Sequence, residues 1–145
     1  MTQDYPPIKV GIVGAAGRGA SFRAPFDAHP ATHIHAVCDV RAEALPDAAV
    51  TLGASETYTD YEEMLDRSGV DAVVIGTPMQ FHASQAIMAL DRGIHVLCEV
   101  TAGVSVEECQ TLVAAAKASN AVYMMAENYT YSRSNVLVKE LVRLG

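Results

Sequence analysis

The sequence predicts an α/β fold built on a doubly wound parallel sheet, and three observations carry that expectation. Short apolar runs alternate with segments of helical period along the whole chain, as strands joined by crossover helices do. Two of the runs, Val73-Val74-Ile75 and Val96-Leu97-Cys98, are apolar at every position, as expected of central strands covered on both faces. Half of the 145 residues are hydrophobic and 19% are charged, which suits one packed domain and not a disordered chain.

The elements follow in order. Residues 1–7 (Met1 to Pro7) read as a polar lead-in, because they lack the basic-then-apolar pattern of a secretory signal. A strand is expected over Ile8–Gly14, then a helix over Gly19–His29 that Pro25 interrupts. A second strand covers His33–Asp39, and the helix that starts at Arg41 is expected to break at Pro46. A weak strand at Glu56–Tyr58 and a brief helix over Tyr61–Arg67 precede the strand Val70–Gly76. The helix Gln80–Arg92 is closed by Gly93, and His95–Glu99 is the fifth strand. Ser105 and Glu108 form an S-x-x-E capping box for a helix over Ser105–Ser119, with Cys109, Leu112, Val113 and Ala116 as its apolar stripe. Val122–Glu127 makes the last strand. Residues 8–131 thus read as one domain, and 132–145 as a C-terminal helix whose apolar face over Asn135–Leu144 either docks back or opens a further domain.

Composition removes several function classes. A net charge of −7 disfavours a nucleic-acid surface, which needs clustered Lys and Arg. No apolar run approaches the roughly 20 residues of a membrane span. Cys38, Cys98 and Cys109 show no C-x-x-C spacing and read as buried reduced thiols, pointing to a cytoplasmic protein. His33 and His35 alternate on one strand face without a third ligand, so no metal site is expected. Met79, Met124 and Met125 read as core-filling residues.

The chemistry concentrates at the strand ends. Lys9-Val10-Gly11-Ile12-Val13-Gly14-Ala15-Ala16-Gly17-Arg18-Gly19 is an apolar run that breaks into small residues and opens a helix, the pattern of a phosphate cradle. Small residues let backbone N–H groups approach a pyrophosphate, and a helix N-terminus adds about half a positive charge. In a G-x-G-x-x-G reading the middle position is Ala16, whose methyl would stand where the pyrophosphate passes; in a G-x-x-G-x-G reading Gly17 and Gly19 supply the freedom. Asp39, ending the next strand, is placed to accept the two hydroxyls of an adenosine ribose. S-adenosylmethionine, which some doubly wound folds hold with a similar turn and acid, stays open as an alternative.

The Thr77-Pro78…His82 and Gly93-x-His95-Val96-x-x-Glu99 elements are more specific than the glycine turn. The ordered segments V-C-D-V, Y-E-E-M-L-D, D-A-V-V-I-G-T-P-M-Q-F-H, A-L-D-R-G-I-H-V-L-C-E and A-E-N-Y resemble the glucose-fructose oxidoreductase, inositol dehydrogenase and rhizopine-catabolism family from about Ile8 onward. The resemblance implies a Rossmann-type domain that binds NAD or NADP, and hydride transfer to or from a sugar, cyclitol or similar polyol. It also implies a second, mostly antiparallel α/β domain that supplies much of the substrate site and often the oligomer contact; that domain is not within these 145 residues. Gly14, Ala15, Ala16, Gly17, Arg18, Asp39, Arg41, Thr77, Pro78, His82, Glu99 and Asn128 are expected at the cofactor, with no catalytic residue and no metal ligand assigned. Asp39 would repel a 2′-phosphate and favours NAD, while Arg41 could stack on adenine or serve NADP.

One departure bears on chemistry. Where the family has Glu-Lys-Pro, this chain has Glu99-Val100-Thr101, and Val100 offers neither an ammonium hydrogen bond nor a proton. Losing a general acid or base typically lowers a rate by ~10²–10⁴. A non-catalytic NAD(H)-binding module is therefore the rival expectation.

Overall fold

The computed structural model describes residues 6–145, so the first five residues of the expected lead-in lie outside it. Six strands form one parallel sheet: β1 (Ile8–Val13), β2 (Thr32–Cys38), β3 (Glu56–Tyr58), β4 (Ala72–Ile75), β5 (His95–Cys98) and β6 (Tyr123–Met125). Their order across the sheet is β3-β2-β1-β4-β5-β6. The chain reverses direction of travel between β1 and β4, and in open parallel sheets ligands bind at that switch point.

The sheet buries one apolar set on each face. Val13, Val73, Ile75, Val96 and Cys98 pack beneath α3 (Tyr61–Arg67), α4 (His82–Asp91) and α5 (Val106–Ala118). Val10, Ile12, Val37 and Val74 pack on the other side with Leu45, Ala48 and Leu52 of α2 (Leu45–Leu52). Alternation along β4 sends Val73 and Ile75 one way and Val74 the other, as a period of two requires.

The helix interrupted by Pro25 is short, as expected, whereas Pro46 acts differently from expectation. Pro25 lies in the first turn of α1 (Arg23–Asp27), after a 3-10 turn over Arg18–Phe22, and Pro46 is in the first turn of α2. The first N–H groups of a helix have no intrahelical acceptor, so a proline there costs no hydrogen bond. Pro46 thus starts a helix instead of breaking one. The helix expected over Gln80–Arg92 is a 3-10 turn at Met79–Phe81 followed by α4, and Gly93 follows with φ of 73°.

Helix α5 is capped as its sequence indicates, with one change of partner. The Ser105 hydroxyl accepts from the Glu108 N–H at 3.1 Å, but the Glu108 carboxylate takes the N–H of Val104 at 2.8 Å, one residue before the cap. Its apolar stripe is narrower than expected: Leu112 is buried, Cys109 and Ala116 are half-buried, and Val113 faces outward.

The methionines correct a second expectation. Met79, Met124 and Met125 are all exposed, at 54%, 57% and 41%. β6 is an edge strand, and no helix covers its face where Met124 stands beside the half-buried Leu97. The last helix, α6 (Arg133–Leu144), buries no residue, and its main contact is with the 3-10 turn Tyr129–Tyr131. Among the described residues, no helix is long and apolar enough to cross a membrane.

Candidate functional site

A cleft of about 580 Å³ opens at the carboxyl ends of β1, β2 and β4. The turn after β1 forms its floor, and the glycines of this turn and of the turn after β4 serve two purposes. Gly14 has φ of 76°, and a Cβ on it would come within 2.6 Å of the Gly76 carbonyl oxygen. A Cβ on Gly76 would in turn meet the Gly19 nitrogen at 2.7 Å. These two positions are glycine because the β1 and β4 turns touch backbone to backbone. At Gly17, by contrast, a Cβ would meet nothing closer than 3.6 Å, and that residue lines the open cleft.

Ala16 therefore does not obstruct the floor. Its side chain packs against the cluster beneath α2, while its N–H donates to Asp39 Oδ2 at 2.9 Å. Ala15 is fully buried in the same cluster. Four of the turn's other amides also stay within the protein: those of Gly14 and Ala15 reach the Cys38 carbonyl, and those of Gly17 and Gly19 reach the Gly14 carbonyl. The helix beyond is only a 3-10 turn and five residues of α1, so the expected dipole contribution is small. Positive charge at the cleft comes instead from two guanidinium groups.

Each of those arginines is held by a buried carboxylate. Asp39, 5% exposed at the end of β2, accepts from Arg41 Nε at 3.0 Å and Nη2 at 3.2 Å, and from the Arg41 N–H at 3.0 Å. Burial pushes the Asp39 carboxyl up, but the Arg41 and Ala16 hydrogen bonds outweigh it and hold the group below its usual range. Glu99, 7% exposed just after β5, accepts Arg18 Nε at 2.7 Å and Nη2 at 2.6 Å on one oxygen. The Arg18 guanidinium also lies over the Phe22 ring, 5.8 Å from its centroid.

Gly14, Gly17, Arg18, Asp39, Arg41, Thr77 and Pro78 of the expected residues line this cleft together. Glu99 reaches it through Arg18. His82 stands behind the wall, 1% exposed, with Nδ1 2.7 Å from the Thr101 carbonyl and Nε2 2.8 Å from the Thr77 carbonyl. Both ring nitrogens thus face backbone, and His82 staples the turn after β4 to the turn after β5 instead of facing the cleft. Asn128 is exposed at the head of the turn Tyr129–Tyr131 and is not part of the cleft lining.

Sequence reasoning missed Phe81 and Gln85, which line the cleft opposite Asp39. Gln85 Oε1 accepts the Thr77 hydroxyl at 2.6 Å and thereby ties α4 to the turn. The signal was available: the two residues are four apart at the start of a helix that follows a strand end, so they share a face. Thr59 and Tyr61 complete that wall and carry no comparable signal.

A buried strand-end acid beside an open glycine at the switch point of a parallel sheet defines a Rossmann nucleotide-binding domain. Residues 8–127 match the model of the GFO_IDH_MocA oxidoreductase family, described as having an NAD-binding Rossmann fold. The chain belongs to that family. It is 32% identical over 148 residues to an α-N-acetylgalactosaminidase of Shewanella oneidensis, a match that covers 95% of this chain and 32% of that protein. It superposes on myo-inositol 2-dehydrogenase from Lactobacillus plantarum with a TM-score of 0.86 at 26% identity, covering 96% of this chain and 42% of that one. The WlbA dehydrogenase of Bordetella pertussis, solved with NADH and UDP-GlcNAcA, gives 0.87 at 26% identity with the same coverage. The chain thus spans about a third of the length of the curated relatives it matches.

Proposed function

We propose that this chain is the NAD-holding part of an enzyme that moves a hydride between the nicotinamide and a carbon of a sugar, cyclitol or related polyol. Asp39 carries the reading. It is an ionised, buried carboxylate at the edge of the cleft, where an adenosine ribose needs an acceptor for its two hydroxyls. Gly17 leaves room for the pyrophosphate, and the Arg18 and Arg41 guanidinium groups line the cleft as hydrogen-bond donors, each already paired with a carboxylate. The cofactor supplies the hydride chemistry; the residues of this chain bind and orient it. Asp39 disfavours a 2′-phosphate, so NAD is preferred over NADP.

The relative from S. oneidensis favours a second form of the same chemistry. Val100 is exposed beside Glu99 and brings no ammonium to the nicotinamide side. Oxidation at one carbon acidifies the neighbouring C–H; loss of that proton together with the glycosidic substituent, addition of water in its place and return of the hydride would give net hydrolysis with the cofactor regenerated. The galactosaminidase named above makes such net hydrolysis of an N-acetylhexosaminide the alternative outcome.

Calorimetric titration of this polypeptide with NAD⁺, NADP⁺ and S-adenosylmethionine tests the binding step. The expected result is binding of NAD⁺, with NADP⁺ weaker and S-adenosylmethionine silent. Binding of S-adenosylmethionine alone would replace the reading. For the reaction, nitrophenol released from a nitrophenyl N-acetylgalactosaminide without accumulating NADH selects hydrolysis, and NADH accumulating with a polyol selects oxidation.

A further inference from the structure

The Arg18–Glu99 pair lies at a particular end of the cleft. Asp39 marks the β2 side as the adenosine side, and the glycine turn after β1 is the pyrophosphate floor. The remaining half of a dinucleotide then extends toward the ends of β4 and β5, where Arg18 reaches across to Glu99. Glu99 is buried and has one cationic partner among the described residues. Its second oxygen receives only the Val100 N–H, at 3.3 Å. Position 100 itself is apolar and adds no charge beside Glu99.

A nicotinamide ring is cationic when oxidised and neutral when reduced. A nearby carboxylate therefore favours the oxidised ring and a nearby guanidinium favours the reduced one; the buried Glu99 is little screened, whereas the half-exposed Arg18 is screened more. We propose that the Arg18–Glu99 ion pair sets the relative affinity of this chain for NAD⁺ and NADH, Glu99 favouring the first and Arg18 the second. The inference rests on the dinucleotide reading above. While the two charges are paired they nearly cancel, and removing either one unmasks the other.

The test is the ratio of the dissociation constants for NAD⁺ and NADH, with ADP titrated as a third ligand, on the unsubstituted chain, Arg18→Gln, Glu99→Gln and the double variant. Arg18→Gln shifts the ratio toward NAD⁺ by about threefold or more, and Glu99→Gln shifts it toward NADH by a similar factor. The double variant returns it close to the starting value. Structural damage weakens both redox forms alike and leaves the ratio unmoved, so folding effects do not imitate this result. If both single variants move the ratio in one direction, or neither moves it while ADP still binds, the inference is overturned and the dinucleotide reading stands. If neither ADP nor either form of NAD binds the unsubstituted chain, both fall together.

Discussion

Asp39 ties the glycine turn to the β2 end through Ala16 and Arg41, and those same hydrogen bonds hold it below the usual carboxyl value of 3.8. The native state therefore binds that proton less tightly than the unfolded chain does. The stability this provides is complete above the unfolded value and is lost as pH falls through the lowered one. Asp39→Asn is expected to melt below the unsubstituted chain at pH 6–7, with the gap closing toward pH 3. Melting curves across that range check it, and a gap that stays constant would show that charge is not the cause. The cysteines show the opposite effect: burial, followed by Asp60 and Asp39, pushes Cys38 up to about 12, and burial pushes Cys98 up to about 11. Both thiols are therefore packing groups, whereas Cys109 is partly exposed.

At the level of elements, contacts between turns shape the site more than helix propensity does. The β1 and β4 turns meet through Gly14, Gly19 and Gly76, where added Cβ atoms would collide with backbone that cannot rotate away. Gly76 has an ordinary backbone angle, so only lack of space requires glycine there. Gly76→Ala is expected to destabilise the fold by more than about 2 kcal/mol, because overpacking against backbone forces the two strands apart. Urea denaturation measures it, and a change below 0.5 kcal/mol would show that the turns can separate freely. The motif pattern made the glycine-rich turn legible, but the spacing could not distinguish glycines that pack from one that opens to ligand. That distinction depends on the fourth strand, 62 residues away from Gly14 in the case of Gly76.

Across the whole molecule, one surface stays apolar and uncovered. Helix α6 exposes Leu137, Val138, Leu141 and Leu144, and β6 exposes Met124. Because no residue of α6 is buried, Leu137→Asp combined with Leu141→Asp should leave the melting temperature of this chain unchanged while reducing its binding of a hydrophobic dye. A lower melting temperature would show that α6 packs on the domain. The matched relatives are about three times as long as this chain.

The order of strands and helices was determined by the sequence itself, because strand alternation, capping residues and helix period are local signals. So was the pairing of the glycine turn with Asp39, which follows from two neighbouring strands. The tertiary structure decided what depends on distant neighbours. It turned His82 away from the cleft into a staple between two turns, brought Phe81 and Gln85 into the wall, and left Met124 and α6 uncovered. It also joined Arg18 to Glu99 across 81 residues. A side chain's partners are set by which strand ends the sheet order brings together, and the parallel crossovers of this fold make those neighbours non-local.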